Sequence, residues 1–341
     1  MTNSAPVLVT GGGGFLGSHI VKKLLARGGT VRVLGRRDYP ALSALGVDCF
    51  RGDVADSGAV GNAVSGCQGV IHAAAVPGIW GEYQAYYRTN YLGTKNIVAA
   101  ALAHGVSRLV YTSTPSVVHG GSDIEGGDEG LPYAKRYLTA YAATKALAEK
   151  LVLRQDPAQL AVAAIRPHLM FGPGDTQLIP KIIARAQTNR LRRIGAGRNL
   201  VSVGYVENVA DAHLLALDKL GPGSRIAGQV YFVNEPEPVN CWDFINRILT
   251  GIGLCPVGKG ISYPVAYAAG WLCEIFFSLL RQKQDPPLTR FLADQLATSH
   301  WFKVDKALCE LGWQPRVELW AGVENTLAWL REKKDSPPSP E

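Results

Sequence analysis

The stretch VLVTGGGGFLGSHIVKKLLARG, residues 7–28, decides the fold. Val7 to Thr10 form a short β-branched run, a glycine cluster follows at once, and a helical pattern then runs from Phe15 to Arg27. Gly11, Gly14 and Gly17 fall at G-x-x-G-x-x-G spacing. A strand that turns sharply through glycine into a helix lets bare backbone approach a pyrophosphate. The helix N-terminus adds amide donors and the positive end of its dipole. A glycine-rich turn that binds nothing is the bland alternative. The strand TVRVLG at residues 30–35 supplies the context that favours a nucleotide.

Outward from this unit, VDCFRGDV, GVIHAAA, RLVYTST and LAVAAIRP read as further apolar strands. They alternate with helices near Ser57 to Val64, Asn90 to His104 and Tyr141 to Arg154. Apolar strands separated by helices predict a parallel sheet covered on both faces, a Rossmann-type doubly wound α/β fold. The regularity weakens after Arg166, where HLMFGPGD reads as a loop. Strands LVSVGYV and QVYFVNEPEPV, with helices near Leu178 to Thr188 and Cys241 to Thr250, then suggest a smaller lobe. Expected boundaries are 1–166 for the nucleotide-binding domain, whose core also receives later strands, 167–331 mainly for a substrate lobe, and 332–341 for a disordered tail rich in Pro and charge.

The 47% hydrophobic and 18% charged content over 341 residues fits a globular chain with a sizeable core. The formal net charge of +7 invites a nucleic-acid reading, but the basic residues are scattered, and the local groups at Arg36-Arg37, Arg190 to Arg193 and Lys333-Lys334 interleave no aromatics. An anionic cofactor, substrate or lipid accounts for the excess better. Six cysteines show no C-x-x-C pair or metal-ligand spacing, so no metal site is expected. With no signal-like N-terminus, the expected location is cytoplasmic. Residues 263–280, YPVAYAAGWLCEIFFSLL, carry one charge, Glu274, and precede Arg281 and Lys283. A pocket-covering helix and a peripheral membrane contact are both open readings for this segment.

At the end of the second strand, where an acid would bind a ribose 2′-hydroxyl, the sequence has Gly35, then Arg36 and Arg37. Guanidinium suits a 2′-phosphate, so NADP(H) is expected over NAD(H), which remains possible; two solvated loop arginines are the alternative. Asp53 is a candidate for the adenine amino group, or a turn aspartate.

Tyr141 and Lys145 lie at i,i+4 on one helical face. Ionising a tyrosine near neutrality requires roughly 3 pKa units, about 4 kcal/mol. A neighbouring ammonium and a positive nicotinamide would contribute to that, making the tyrosine a general acid or base. Spacing alone favours a plain helix surface. The strand end VYTSTPSV, upstream, brings hydroxyls to the same sheet edge and changes the balance.

The set TGGGGFLG, GVIHAAA, TNYLGTKN, VYTSTPSV, YAATK and IRPHLMFGPGD resembles the extended short-chain dehydrogenase/reductases, in order and over nearly the whole chain, and within them the 3β-hydroxysteroid dehydrogenase group. Some pieces are similar to the sterol-4α-carboxylate 3-dehydrogenases (decarboxylating), and others to the 2-alkyl-3-oxoalkanoate reductases. The resemblance implies Tyr141 as catalytic acid/base, Lys145 as its activator and ribose ligand, Thr114 (with Ser113 in reserve) as the orienting hydroxyl, and Asn90 as the asparagine of the central helix. It implies cofactor contacts from Gly11, Gly14, Phe15, Leu16, Gly17, Asp53, Val54, Ala73, Ala74 and Pro167.

Both kinds of relative handle an oxygen function at C3 of a large apolar β-hydroxy or β-keto acid. The sterol dehydrogenase is the first expectation and the NADPH-dependent reductase the alternative. A nucleotide-sugar epimerase or dehydratase comes third, and a catalytically silent nucleotide-binding module last. His119, Lys135, Arg136 and His168 are all candidates for the cation that meets the substrate carboxylate. The family also implies a homodimer through the helices near 90–104 and 141–154.

Overall fold

The computed structural model describes residues 5–282 and 284–335, with only the backbone considered at 334 and 335. Seven parallel strands form the main sheet: β1 (Val7–Thr10), β2 (Val31–Gly35), β3 (Asp48–Arg51), β4 (Gly69–His72), β5 (Arg108–Thr112), β6 (Ala161–Pro167) and β7 (Gln229–Val233). Their spatial order is β7-β6-β5-β4-β1-β2-β3, so the order reverses between β1 and β4. Crossover helices from adjacent strands leave this sheet on opposite faces at that point, opening a crevice at the carboxyl edge.

Period-two alternation sorts the strand residues between two cores. Val7 and Val9 of β1 face α1 (Phe15–Ala26), whereas Leu8 faces the side covered by α2 (Ser57–Val64) and α3 (Gly93–Ala103). Helix α4 (Ala140–Leu153) buries Ala148 and Val152 on the α3 side, and Thr139 caps it by accepting from the Ala142 amide at 3.2 Å. Strand β7 comes from the second half of the chain and pairs with β6 from Gln229 to Val233.

The smaller lobe holds α5 (Leu178–Gln187), α6 (Val206–Lys219, which returns to cover the main sheet), α7 (Cys241–Gly251), α8 (Tyr263–Leu279), α9 (Arg290–Ala297) and α10 (Leu319–Asp335). Three sequence expectations change. LVSVGYV is two strands in separate sheets, Leu200–Val201 and Gly204–Tyr205, with Ser202 and Val203 in neither. The helix placed at Asn90 begins earlier, at Tyr83, and passes through a π-helical segment, Tyr87–Leu92, before α3. Helix α10 runs to Asp335, four residues into the stretch read as a tail, and residues 336–341 lie outside the described part.

The glycine and the acid inside α8 have local structural causes. A Cβ at Gly270 would come within 2.7 Å of the Thr289 backbone, so the glycine admits the segment that enters α9. Glu274 accepts from the Arg290 amide and side chain, each at 2.7 Å. The opposite face of α8 presents Val265, Leu272, Phe276 and Leu279, which are 58 to 77% exposed. Among the described residues, no helix is long and apolar enough to cross a membrane.

Candidate active site

A cleft of about 830 Å³ occupies the crevice at the reversal of strand order. Gly11 has φ +69°, and a Cβ there would stand 3.0 Å from the Ala74 backbone, so the β1–α1 turn and the end of β4 approach as closely as only glycine allows. The turn is locked from below: Thr10 Oγ1 bonds His72 Nδ1 at 2.6 Å and accepts from the Ala74 amide at 3.2 Å. His72 Nε2 lies 3.0 Å from Thr94 Oγ1. Burial pushes the His72 pKa down to about 3, so this histidine is a neutral structural link.

Of the residues singled out from sequence, Gly11, Gly14, Phe15, Leu16, Gly17, Arg36, Arg37, Asp53, Val54, Ala73, Ala74, Ser113, Tyr141, Lys145 and Pro167 all line this cleft. Arg36 and Arg37 are exposed at its rim, and neither has an ion pair among the described residues; the nearby Arg51 pairs with Asp38 at 3.2 Å. Asp53 Oδ1 accepts from the Ala55 amide at 3.0 Å, a turn contact, and its Oδ2 lies 3.6 Å from Arg88. Its role is therefore at least partly the local one.

Two residues expected at the site, Asn90 and Thr114, fall outside the cleft lining. Asn90 is 1% exposed, and its amide is taken up by Val76 N (2.8 Å), Val76 O (3.2 Å) and Thr144 Oγ1 (3.2 Å). It clamps the segment after β4 onto the π-helical turn, so its position is one of support for the site. Thr114 Oγ1 donates to Ser116 Oγ and accepts from the Ser116 amide, each at 3.2 Å, and its hydroxyl lowers the pKa of the Tyr141 phenol. The Ser113 hydroxyl, 3% exposed at the residue level, has no hydrogen-bond partner, so a buried donor is left for whatever enters.

The electrostatics of the Tyr-Lys pair differ from the sequence argument. Lys145 is 2% exposed, its Nζ donates to the Thr112 carbonyl at 2.5 Å, and it stands 4.1 Å from the centre of the Tyr111 ring. Desolvation pulls its pKa down to about 7, with the Glu149 carboxylate one turn on acting the other way. Tyr141 is shifted up, to about 12: desolvation dominates, the Thr114 hydrogen bond opposes it and Tyr86 adds to it. The ammonium is directed at the end of β5, and the phenol holds its proton. Behind Lys145, Glu149 forms a fully buried bidentate pair with Arg166 and accepts from Tyr133 at 2.7 Å.

The carboxylate candidates also narrow. His168 is buried and His119 partly buried, desolvation pushes both down, His119 to about 4, and His168 Nε2 is engaged with His300 Nδ1 at 2.7 Å. Neither carries a positive charge near neutrality. Lys135 and Arg136 lie exposed on the loop before α4.

Several lining residues escaped the sequence reading. Tyr39 lies across the glycine loop: a Cβ at Gly13 would fall 2.0 Å from its ring and one at Gly35 2.3 Å from its hydroxyl. The glycine at the end of β2 thus makes room for this ring as well as leaving out an acid. Leu169, after β6, lines the cleft with φ +36°, a strained geometry of the kind found at binding sites. Asp175, 1% exposed, accepts from the amides of Gln177, Leu178 and Ile179 at 2.7 to 3.1 Å and fixes the start of α5 beside the cleft. Its position before an apolar helix was a readable cap signal.

The described residues fit a dinucleotide: a glycine turn that a Cβ would block, unpaired guanidinia at the rim and an unsatisfied hydroxyl at the inner end.

The 3-beta hydroxysteroid dehydrogenase/isomerase family matches residues 8–263. The 2-alkyl-3-oxoalkanoate reductase of Stenotrophomonas maltophilia (strain K279a) is 45% identical over 324 residues, 94% of this chain and 98% of that protein. The decarboxylating sterol-4-alpha-carboxylate 3-dehydrogenase of Mus musculus is 36% identical over 327 residues, 94% and 89% of the two chains. Among solved structures, MoeE5 in complex with UDP-glucose and NAD is 25% identical, covers 96% of this chain and 99% of its own, and has a TM-score of 0.73.

Proposed function

The chain belongs to the 3-beta hydroxysteroid dehydrogenase/isomerase family, and from that premise we propose that it reduces the 3-oxo group of a large hydrophobic 2-alkyl-3-oxo acid, with NADPH preferred over NADH. The observation that carries the reading is the pair of exposed guanidinia at the rim of the cleft, Arg36 and Arg37, which form no ion pair among the described residues and suit the 2′-phosphate of NADPH, together with the 45% identity to a reductase of such acids. Reduction of a ketone needs a proton on oxygen, and Tyr141, at the inner end of the cleft, is the phenol placed to give it.

When bound, the nicotinamide supplies the hydride. Gly11, Gly14, Phe15, Leu16 and Gly17 would receive the pyrophosphate, Arg36 and Arg37 the 2′-phosphate, Val54 the adenine side with Asp53, and Ala73, Ala74 and Pro167 the path to the reacting end. Tyr141 donates its phenolic proton to the substrate oxygen, and Thr114 and Ser113 orient that oxygen. Lys145, with a pKa near 7, can exchange a proton close to neutral pH and sits where a ribose hydroxyl would meet it.

The second reading is oxidation of a sterol-4-carboxylate, favoured by the 36% identity to the mouse dehydrogenase. It would use Tyr141 as the base instead of the acid. A nucleotide-sugar reading draws on the fold of MoeE5 alone. Exposed Leu102 on α3 and Leu147 on α4 support a homodimer through these helices, and the bare apolar face of α8 supports a peripheral membrane contact.

The test is cofactor turnover by purified protein with NADPH and NADH, offered a 2-alkyl-3-oxo fatty acid and, in the oxidative sense, a 4-carboxysterol. Faster NADPH consumption with the oxo acid is expected. Turnover of the sterol alone, or of a UDP-sugar alone, would overturn the reading.

A further inference from the structure

Two glycines of the nucleotide cleft are explained by one ring. Gly13, in the β1–α1 turn, and Gly35, at the end of β2, both lack a positive φ, so the handedness of the backbone does not call for glycine at either. What bars a side chain is Tyr39. The three atoms nearest to where a Cβ would stand, at Gly13 and again at Gly35, all belong to the Tyr39 side chain. One edge of the ring lies against Gly13, and the hydroxyl with the other edge lies against Gly35.

The backbone under this ring is held. Tyr39 precedes the helical turn Pro40–Ser43, and its carbonyl accepts from the Leu42 and Ser43 amides at 3.0 and 2.9 Å. Leu42 is buried in the same core as Val31 and Val33 of β2. Gly35, Arg36, Arg37 and Tyr39 all line the cleft, and the Tyr39 hydroxyl has no hydrogen-bond partner among the described residues. The end of β2 is where a dinucleotide fold places the acid that accepts from a ribose 2′-hydroxyl. Here the hydroxyl stands in the space through which such a side chain would leave the backbone. A carboxylate could only accept, whereas a phenol donates, and a 2′-phosphate is an acceptor.

We propose that Tyr39 sets the cofactor preference: its ring closes the end of β2 to an acid, and its hydroxyl joins Arg36 and Arg37 in donating to the 2′-phosphate. The inference rests on the reading of the cofactor as NADPH and adds a residue to it. Glycine at 35 seats the ring, so exchanging that glycine for an acid does not by itself make an NADH site.

Fluorescence titration with NADPH and NADH, together with thermal unfolding in the absence of cofactor, tests it in four proteins: wild type, Tyr39→Phe, Gly35→Asp, and Gly35→Asp combined with Tyr39→Ala. Wild type should bind NADPH about tenfold or more tightly than NADH. Tyr39→Phe keeps the ring and should lose about 3- to 10-fold for NADPH, with NADH within about twofold, as for one hydrogen bond. Gly35→Asp should unfold at a lower temperature than wild type, lose affinity for NADPH and gain none for NADH. The double variant should recover the unfolding temperature and bind NADH about tenfold more tightly than Gly35→Asp does, because the acid then has its space. Three outcomes overturn the assignment: Gly35→Asp gaining NADH affinity without the second substitution, a double variant no better than Gly35→Asp, or Tyr39→Phe changing both cofactors equally or neither. A wild type that binds NADH as tightly as NADPH instead overturns the NADPH reading, and the inference with it.

Discussion

Lys145 Nζ donates to the carbonyl oxygen of Thr112, at 2.5 Å, although Tyr141 lies one helical turn away on the same face. The lysine therefore ties α4 to the end of β5, while burial raises the pKa of the Tyr141 phenol to about 12.

Tyr141→Phe removes the proton donor and leaves the ring. Turnover of the oxo acid should fall about 10²- to 10⁴-fold, while NADPH affinity by fluorescence titration changes little. A variant with near wild-type rate would remove Tyr141 from the chemistry.

Lys145 has a pKa near 7 in the folded chain, below the ordinary lysine value of 10.5. A lysine depressed on folding lowers stability fully below its folded pKa, and the penalty disappears as pH rises toward the unfolded value. Lys145→Met should therefore gain most on wild type near pH 7 and lose that advantage between about pH 7 and 10. Denaturant titrations across that range measure it; a gap that does not vary with pH contradicts the shift.

Arg36→Ala should raise the KM for NADPH about tenfold or more and leave that for NADH within about twofold, as expected for one charge-assisted contact. Arg37→Ala should have a smaller effect of the same kind. Equal losses with both cofactors would mean that neither arginine reads the 2′-phosphate.

Glu149 and Arg166 are 0% and 3% exposed and form a bidentate pair. Glu149→Leu strands a buried guanidinium and should cost about 3–5 kcal/mol in denaturant unfolding. Adding Arg166→Met should recover much of that. A double variant as unstable as the single one would place the cost in packing around Tyr133.

The glycine loop, the parallel sheet and the Tyr-Lys spacing were legible because each is written in neighbouring residues: glycine positions, strand alternation and the helical period. Asp175 was legible in principle, as a cap before an apolar helix. Tyr39 was not: it matters because Gly13 and Gly35, 22 residues apart, leave a shared gap for its ring. Asn90 was expected at the site from the family resemblance alone, and its hydrogen bonds to Val76 and Thr144 from within the π-helical segment were not legible in the sequence.

By itself, then, the sequence determined the parallel doubly wound sheet, the nucleotide turn, the missing acid at Gly35 and the face shared by Tyr141 and Lys145. Local steric rules and side-chain periods are enough for that. Only the tertiary structure decided where the charges point and what they cost. The Lys145 ammonium is directed to Thr112, the Tyr141 phenol keeps its proton, and desolvation pushes down His119 and His168. Desolvation and hydrogen-bond geometry depend on every segment that packs around a group, and those segments come from all parts of the chain.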